Sequence, residues 1–413
     1  MNVSSVISIG NLKAQRGQKV SGTVPIPADD GNGSAIPITI IHGINEGPTL
    51  LVLAGVHGSE YTPIVATQRL ARDILELWRG ALILVHMANL PSYLGRTVYK
   101  SPIDGKNLNR VFPGSRTGTL TERIADVLVE QVYPQANAVM DLHSGDANEA
   151  LGPSYTAYYG KAGSPQVIQA SKAMANAFGL DFVVEFQWEF GKDDENATKG
   201  AIWAGSAAVA RGIPSIDVEM TPGKGLYDPV SIAQAYHGTL QVMDHLGLEP
   251  SFMAHPSNDN LPRTSEVCLV RERHFIEAPE GGSWVPLVDT GSFITQGTLL
   301  GYTTDLFGRN RTFEALAPAD GLLLIRFEAP PVEKGDTLAV IAVLNSSDSG
   351  CDRFRLAPDA LAAGCIVWQL AVAIGGWVAV LGMLLMMKGR ARYSKHAVLP
   401  ENLEDQYPSN QVV

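Results

Sequence analysis

The amino-acid sequence predicts an α/β fold that is followed by a small β domain and a C-terminal transmembrane helix. Three observations support this prediction. Between residues 48 and 247, short apolar strands alternate with amphipathic helices. Residues 265–345 contain strand-like runs bounded by turn residues and no convincing helix. The segment Ala360–Met387 carries no charged side chain, and its 28 residues are enough for a helix to span a bilayer.

Changes in composition divide the chain into five predicted segments. Polar, proline-containing stretches at 248–264 and 346–359 read as linkers. The segments are N-terminal strands at 1–34, an α/β domain at 35–250, the β domain at 265–345, the transmembrane helix at 360–387 and a polar tail at 388–413.

The elements of the α/β domain follow from its hydrophobic pattern. Two helices carry N-terminal signals: Thr119 and Glu122 stand at capping-box spacing, and Ser164 precedes a proline. Four uncharged or nearly uncharged runs are short enough to be strands that are covered on both faces. These strands are predicted at 49–56, 81–89, 137–143 and 214–220.

Composition excludes several classes of protein. Hydrophobic residues make up 45% and charged residues 18% of the chain, which indicates a globular protein with a core. The formal net charge of −11 argues against a nucleic-acid partner, because such binding depends on neutralising phosphates. The three cysteines, Cys268, Cys351 and Cys365, are odd in number and far apart, so neither a disulfide framework nor a cysteine-built zinc site is expected.

A candidate metal site appears where two predicted strands end. His57 and Glu60 follow the first strand at a spacing of three, and His143 closes another strand. In α/β folds, ligands gather at the carboxyl ends of strands. Two histidines and a glutamate are one of the ligand sets of catalytic zinc, so we expect one Zn²⁺ per chain.

Three further residues are candidates for substrate binding, and one is a candidate base. Asn109 and Arg110 lie in a glycine- and proline-rich loop, where arginine's planar fork suits a substrate carboxylate. Arg96 is a second candidate anion contact, with a structural role as the alternative. Glu219 ends the last strand and is the candidate general base, whereas Asp217, two residues earlier, is expected to be structural.

Four motifs, in this order, resemble the succinylglutamate desuccinylase/aspartoacylase family: GVHGSE, NLNRVFPG, DLHSG and VEM. The resemblance covers roughly residues 35–345. It implies a metallocarboxypeptidase-like mixed sheet flanked by helices, and zinc-dependent deacylase chemistry. Asn107 stands where the family usually has an aspartate. The resemblance implies that His57, Glu60 and His143 bind zinc, that Asn109 and Arg110 bind a carboxylate, and that Glu219 activates water.

Within the family, the loop around Asn109 and the appended β domain look most like the branch of bacterial N-acetyl-diaminobutyrate deacetylases. The β domain itself resembles the biotinyl/lipoyl hammerhead, with Val332–Asp336 as its typical turn. Asp320 and Gly321 occupy the tip at which that fold carries a modified lysine, so we expect no covalent cofactor.

The expected function is hydrolysis of an amide bond in a small N-acylated amine that carries a carboxylate. One alternative is a metallocarboxypeptidase that acts on peptides or cell-wall peptides. Such an enzyme would share the metal ligands, the Asn-Arg pair that binds a carboxylate and the general-base glutamate. A second alternative is a non-catalytic, membrane-bound binding protein. The sequence leaves open whether the chain forms a homo-oligomer.

The C-terminal segment predicts a single-pass membrane anchor. Basic residues follow it, and the positive-inside rule would place the enzyme outside the cytoplasm. The N-terminus, however, lacks the pattern of a signal peptide. We therefore expect a tail anchor inserted after synthesis, with the catalytic domain in the cytoplasm. The basic residues are Lys388, Arg390, Arg392 and Lys395.

Overall fold

A computed structural model of the 413-residue chain describes residues 6–27, 33–189, 200–221, 228–252, 267–345, 350–352 and 354. The strands are β1 Val6–Ile9, β2 Leu12–Gln15, β3 Lys19–Ile26, β4 Ser34–His42, β5 Asn45–Leu53, β6 Ile74–Val85, β7 Ala138–Ser144, β8 Glu149–Leu151, β9 Tyr155–Tyr159, β10 Phe182–Phe186, β11 Ser215–Met220, β12 Glu249–Phe252, β13 Cys268–Val270, β14 Glu272–Glu277, β15 Gly282–Pro286, β16 Phe293–Ile294, β17 Leu299–Thr304, β18 Arg311–Leu316, β19 Gly321–Phe327, β20 Pro331–Val332 and β21 Thr337–Val343. The α-helices are α1 Tyr61–Asp73, α2 Leu90–Gly95, α3 Leu120–Val127, α4 Pro165–Ala177, α5 Ala204–Val209 and α6 Pro229–Leu246.

One mixed sheet organises the α/β part, as the sequence predicted. Its strand order is β13-β10-β9-β11-β7-β5-β6-β4-β3, and β12 pairs with β6. The four central strands β11, β7, β5 and β6 run parallel to one another. Antiparallel pairs follow on both sides, at β11–β9 and at β6–β4. The four predicted strands correspond to these four central strands.

Strand β5 shows why the sheet is covered on both faces. Successive side chains of a strand point to opposite faces. Leu51 and Leu53 belong to one buried cluster, together with residues of α3 and α5. Leu50 and Val52 belong to a second cluster, which includes residues of α1, α4 and α6. A run without polar residues is therefore the sequence that a strand between two helical layers requires.

The predicted helix signals are present in the structure. The carboxylate of Glu122 accepts a hydrogen bond from the backbone N–H of Thr119 at 2.8 Å, the reciprocal half of a capping box. The hydroxyl of Ser164 accepts one from the backbone N–H of Val167 at 3.3 Å. Helix α3 is shorter than the periodicity predicts, because residues Leu128–Val132 widen into a π-helical turn.

The small β domain is joined to the large sheet by exchanged strands. Its strands form two sheets, with the orders β14-β21-β19-β16 and β18-β17-β15-β20. Strand β8, from the α/β part of the sequence, pairs with β19 of this domain. Strand β13 lies within the predicted β domain but pairs with β10 in the large sheet. Hydrogen-bonded strands therefore connect the α/β part and the β domain across the boundary that composition predicts.

A disulfide corrects the expectation drawn from the cysteines. Cys268 in β13 is bonded to Cys351, and both side chains are buried. Their separation of 83 residues gave no local spacing to recognise. Phe354, three residues later, packs its ring against Phe182 of β10 with centroids 4.5 Å apart. Cys351 and Phe354 are thus attached to the edge of the large sheet.

The predicted transmembrane helix at 360–387 and the polar tail at 388–413 lie outside the described residues. Among the helices that the structure does describe, none combines the length and the apolar composition needed to cross a membrane.

Candidate metal centre

Three parallel strands bring the candidate residues to one edge of the sheet. His57 and Glu60 lie in the connection between the end of β5 at Leu53 and the start of α1 at Tyr61. His143 lies near the end of β7, and Glu219 lies near the end of β11. Because neighbouring parallel strands end on the same side, residues far apart in sequence converge there.

His57, Glu60 and His143 form a compact, buried cluster. One oxygen of Glu60 lies 2.7 Å from Nδ1 of His57, and the other lies 2.9 Å from Nδ1 of His143. One ligand atom from each residue lies within 4.8 Å of the others. The three residues are between 3% and 8% exposed. This donor set fits a metal ion that prefers nitrogen and oxygen ligands, as zinc does.

The outer nitrogens of both histidines are also held. Nε2 of His143 lies 3.0 Å from a carboxylate oxygen of Asp141. Nε2 of His57 lies 3.2 Å from the amide oxygen of Asn107, which also accepts the backbone N–H of Asn109. Such partners fix the orientation of a metal-binding imidazole. The residue that departs from the family pattern, Asn107, therefore has a defined place beside the cluster.

The electrostatics of the cluster favour a bound cation. Burial alone would raise the pKa of Glu60, but the charges of His57 and His143 outweigh burial and lower it to about 2. Burial alone would lower the pKa of His143, yet Asp141 and Glu60 hold it well above its usual value. His143 thus retains a proton at neutral pH beside two carboxylates, and a bound metal ion can take the place of that proton.

The two acidic residues of β11 have different surroundings. The hydroxyl of Tyr159 donates a 2.7 Å hydrogen bond to Asp217, which is buried beneath the site. Glu219 is only partly buried, and the protein environment raises its pKa well above the usual value, chiefly through desolvation. Of the two residues, Glu219 is the less buried.

The candidate substrate residues occupy different positions. The amide oxygen of Asn109 accepts the backbone N–H of Ala204 at 2.8 Å, and its nitrogen lies 3.3 Å from Nε2 of His143. Arg110 is exposed and donates to the backbone carbonyl of Asn109 at 2.7 Å. Arg96 is exposed at the end of α2 with φ of 53°, and its side chain makes no hydrogen bond within the described ranges. Its role in anion binding stays a prediction.

Sequence reasoning missed several residues around the cluster. The ring of Tyr99 meets the ring of His57 edge-on, with centroids 5.2 Å apart. Arg273 of β14 stacks over the ring of Phe186 at 4.6 Å and interacts electrostatically with Glu219. The position of Asp141, two residues before a strand-end histidine, was a usable signal, because both side chains share a face. No pattern marked Tyr99 or Arg273.

Comparisons with known proteins agree with this geometry. Residues 46–246 match the model of the succinylglutamate desuccinylase/aspartoacylase catalytic domain. The chain is 32% identical over 326 residues to the N-alpha-acetyl-L-2,4-diaminobutyric acid deacetylase of Halomonas elongata, covering 77% of this chain and 89% of that protein.

Two solved structures show the same architecture. The product-bound ectoine utilization protein EutE of Ruegeria pomeroyi has a TM-score of 0.65 and 26% identity, covering 80% of this chain and 96% of that one. A succinylglutamate desuccinylase/aspartoacylase from Rhodobacter sphaeroides has a TM-score of 0.65 and 23% identity, covering 80% and 97%. Motifs, fold and buried His-Glu-His cluster lead to one conclusion: this chain belongs to the succinylglutamate desuccinylase/aspartoacylase family of deacylases.

Proposed function

We propose that the protein is a zinc-dependent hydrolase that cleaves the amide bond of a small N-acylated amino acid or related amine. The observation that carries the proposal is the cluster of His57, Glu60 and His143, whose ligand atoms lie within 4.8 Å of one another. Two histidines and a carboxylate leave a position of zinc open in known catalytic sites. We expect one zinc ion per chain.

Bound zinc supplies a Lewis acid that polarises a carbonyl and lowers the pKa of water. The protein's own residues supply positioning and proton transfer. Asp141 and Asn107 hold the outer nitrogens of the histidines. Glu219 accepts the proton of the attacking water and then donates it to the leaving amine. Burial raises the pKa of Glu219 well above its usual value, so its carboxylate holds a proton more strongly than an exposed glutamate does.

Arg110 is the proposed partner of the substrate carboxylate. Its side chain is exposed at the edge of the site, so it can present its guanidinium fork to a ligand. The bond from Arg110 to the carbonyl of Asn109 orients the guanidinium without using a carboxylate partner from the protein. Asn109, fixed by Ala204, supports the loop that carries this arginine.

The similarity to a deacetylase of an N-acetylated diamino acid supports a small acylated amino acid as the substrate. A hydrolysis screen tests this against the alternatives. N-acetyl, N-succinyl and N-formyl amino acids are compared with peptides, before and after dialysis against a chelator and again after zinc is added back. Hydrolysis confined to acyl amino acids and restored by zinc supports the proposal. Cleavage of peptides would favour a metallocarboxypeptidase, and no cleavage would favour a binding protein.

Zinc content provides the second test of the site. Alanine variants of His57 and His143 should bind far less than one zinc ion per chain, because one of three protein ligands is lost. His245→Ala is the matched control, since this histidine is exposed in the last turn of α6. Full zinc retention by His143→Ala would show that the ligand set is wrong.

We also propose that the apolar segment Ala360–Met387 anchors the protein in a membrane. The support is its sequence alone: 28 residues without a charge, followed by four basic residues. The full chain should then remain with membranes after a carbonate wash. A chain that is freely soluble after this wash would exclude the anchor.

A further inference from the structure

One arginine of the β domain has no role in the proposed chemistry, although its charge acts on the site. Arg273 lies on β14, the first strand after β13. It interacts electrostatically with Tyr155 and with Glu219, two residues that pair with each other across β9 and β11. The β domain therefore brings a cationic side chain towards the proposed base.

Aromatic rings pack against the guanidinium of Arg273. Its central carbon lies 4.6 Å from the ring centroid of Phe186, at the end of β10, and 5.3 Å from the ring centroid of Phe275. A guanidinium group is planar and carries its N–H groups at the edge of this plane, so stacking on a ring leaves these donors free for an acceptor. The rings thus orient Arg273 without satisfying its hydrogen bonds.

The N–H donors of Arg273 find no acceptor among the residues that the structure describes. Within these residues the side chain is half-buried and forms neither a hydrogen bond nor an ion pair, with Glu219 or with any other carboxylate. Arg271, two residues earlier, is by contrast paired with Glu185 at 3.2 Å. Burial lowers the pKa of Arg273, because a charge that loses water without gaining a partner is costly. Arg273 therefore calls for an anionic ligand.

Arg273 and Arg110 border the same part of the site. Both guanidinium groups interact electrostatically with Tyr159, whose hydroxyl donates a hydrogen bond to Asp217 beneath the site. One arginine lies in the loop before α3 and the other in the β domain, so the two reach this region from different segments of the chain. Two arginines that converge on one region can together hydrogen-bond both oxygens of a single carboxylate.

We propose that Arg273 is a second substrate-binding arginine, which holds the carboxylate of the substrate together with Arg110. The β domain thereby contributes a side chain to the active site. This inference rests on the proposed deacylase function and adds to it a residue that determines specificity. The alternative is that Arg273 only joins the β domain to the large sheet, through its stacking on Phe186.

Steady-state kinetics on a carboxylate substrate and its neutral carboxamide test the inference. The most active compound of the hydrolysis screen and its carboxamide form the pair. Arg273→Met removes the charge but keeps an apolar side chain that can still pack on Phe186. We expect this variant to raise KM at least about tenfold for the carboxylate and less than about threefold for the carboxamide, as expected for a hydrogen bond to a charged group. The value of kcat should change little, because Arg273 is neither a metal ligand nor the base.

Two further variants separate binding from packing. Arg273→Lys keeps the charge without the planar fork, so it should retain only part of the preference for the carboxylate. Arg271→Met is the matched control, since it removes an exposed arginine two residues away and should leave both KM values unchanged. Melting temperature and zinc content are measured for each variant. Equal increases of KM for both compounds in Arg273→Met would overturn the inference, because Arg273 would then only support the fold.

Binding measurements separate this inference from the proposed function. Calorimetry uses N-acetylalanine and N-acetylalaninamide with the zinc-loaded Glu219→Gln protein, in which hydrolysis does not interfere. The carboxylate should bind at least about tenfold more tightly than the carboxamide, and adding Arg273→Met should remove most of this difference. This measurement decides the inference even if no acyl amino acid is hydrolysed by the wild type, in which case only the proposed function fails. No preference for the carboxylate, or the same preference with and without Arg273, would contradict the inference.

Discussion

Glu219 lies directly beside His143, on the neighbouring parallel strand. The register of β11 and β7 pairs these two residues, and two positions earlier it pairs Asp217 with Asp141. Paired residues of adjacent strands point to the same face, and neighbouring strands lie about 5 Å apart. This register places Glu219, the proposed base, next to the metal ligand His143. It also places the buried Asp217 next to Asp141, the residue that orients His143.

Replacing Glu219 by glutamine should abolish most of the activity without releasing zinc. We expect kcat to fall by about 10²–10⁴, the usual contribution of a general base. Zinc content and binding of a product amino acid should remain, because Glu219 is outside the ligand set. Steady-state kinetics and metal analysis on the same preparation provide the test. Activity within a few-fold of the wild type would show that another carboxylate is the base.

Replacing Arg110 by lysine should weaken binding of substrates that carry a carboxylate. A lysine keeps the charge but cannot form two parallel hydrogen bonds. We expect KM to rise for an N-acyl amino acid and to change much less for its neutral carboxamide. Equal effects on both compounds would mean that Arg110 holds its loop through the carbonyl of Asn109 rather than the substrate.

Asp217→Asn should flatten the dependence of stability on pH. Burial, reinforced by Asp141, raises the pKa of Asp217 to about 7, whereas the unfolded value is about 3.9. A raised carboxyl pKa contributes stability that is present below about pH 4 and is lost progressively as the pH rises to about 7. Asparagine can still accept the hydrogen bond from Tyr159 and does not ionise.

Urea unfolding of the metal-free protein at several pH values between 4 and 8 measures this effect. The wild type should lose stability relative to Asp217→Asn as the pH rises through this range, and the difference should level off above about pH 7. A constant difference between the two proteins would show that Asp217 does not titrate there.

The disulfide sets where the chain can be shortened. A protein that ends at Asn345 lacks Cys351 and Phe354, both of which attach to the edge of the large sheet. One that ends at Pro358 keeps them. Loss of a disulfide typically costs about 2–5 kcal/mol. We expect the longer protein to be active and the shorter one to unfold at a lower temperature, as measured by circular dichroism. Equal melting temperatures would mean that the disulfide does not stabilise the fold.

The state of the two cysteines bears on the proposed membrane anchor, because it indicates the compartment in which the enzyme folds. Disulfides persist in oxidising compartments and are rare in the cytoplasm. The sequence-based expectation is a cytoplasmic catalytic domain, whereas the disulfide and the basic residues after the apolar segment favour the opposite side. We therefore expect thiol alkylation of denatured cells, without a reductant, to leave Cys268 and Cys351 unlabelled. Labelling of both would place the domain in the cytoplasm.

The sequence predicted those parts of the molecule that depend on local pattern. The four central strands were predicted because both of their faces are buried, which leaves uninterrupted apolar runs such as Leu50–Leu53. The metal cluster was predicted because strand ends converge in this class of fold. The helix starts at Thr119 and Ser164 follow from capping rules that act within four residues.

The rest depends on contacts between distant residues. The bond between Cys268 and Cys351 closes over 83 residues, and the exchange of β8 and β13 between sheets leaves no local trace. The edge-on contact between Tyr99 and His57 likewise needs the folded loop. Such features arise from packing between residues that are far apart in the sequence. No local sequence pattern therefore predicts them.

The pairing of β8 with β19 has a consequence for recombination between relatives. A crossover between the α/β part and the β domain would exchange the strand that anchors one end of the Asp146–Glu149 turn, while leaving the other end on β7. A chimera made at this boundary should therefore place β8 of one parent against β19 of the other and lose stability where the two strands do not match. Grafts that carry residues 144–151 together with the β domain should keep this pairing intact.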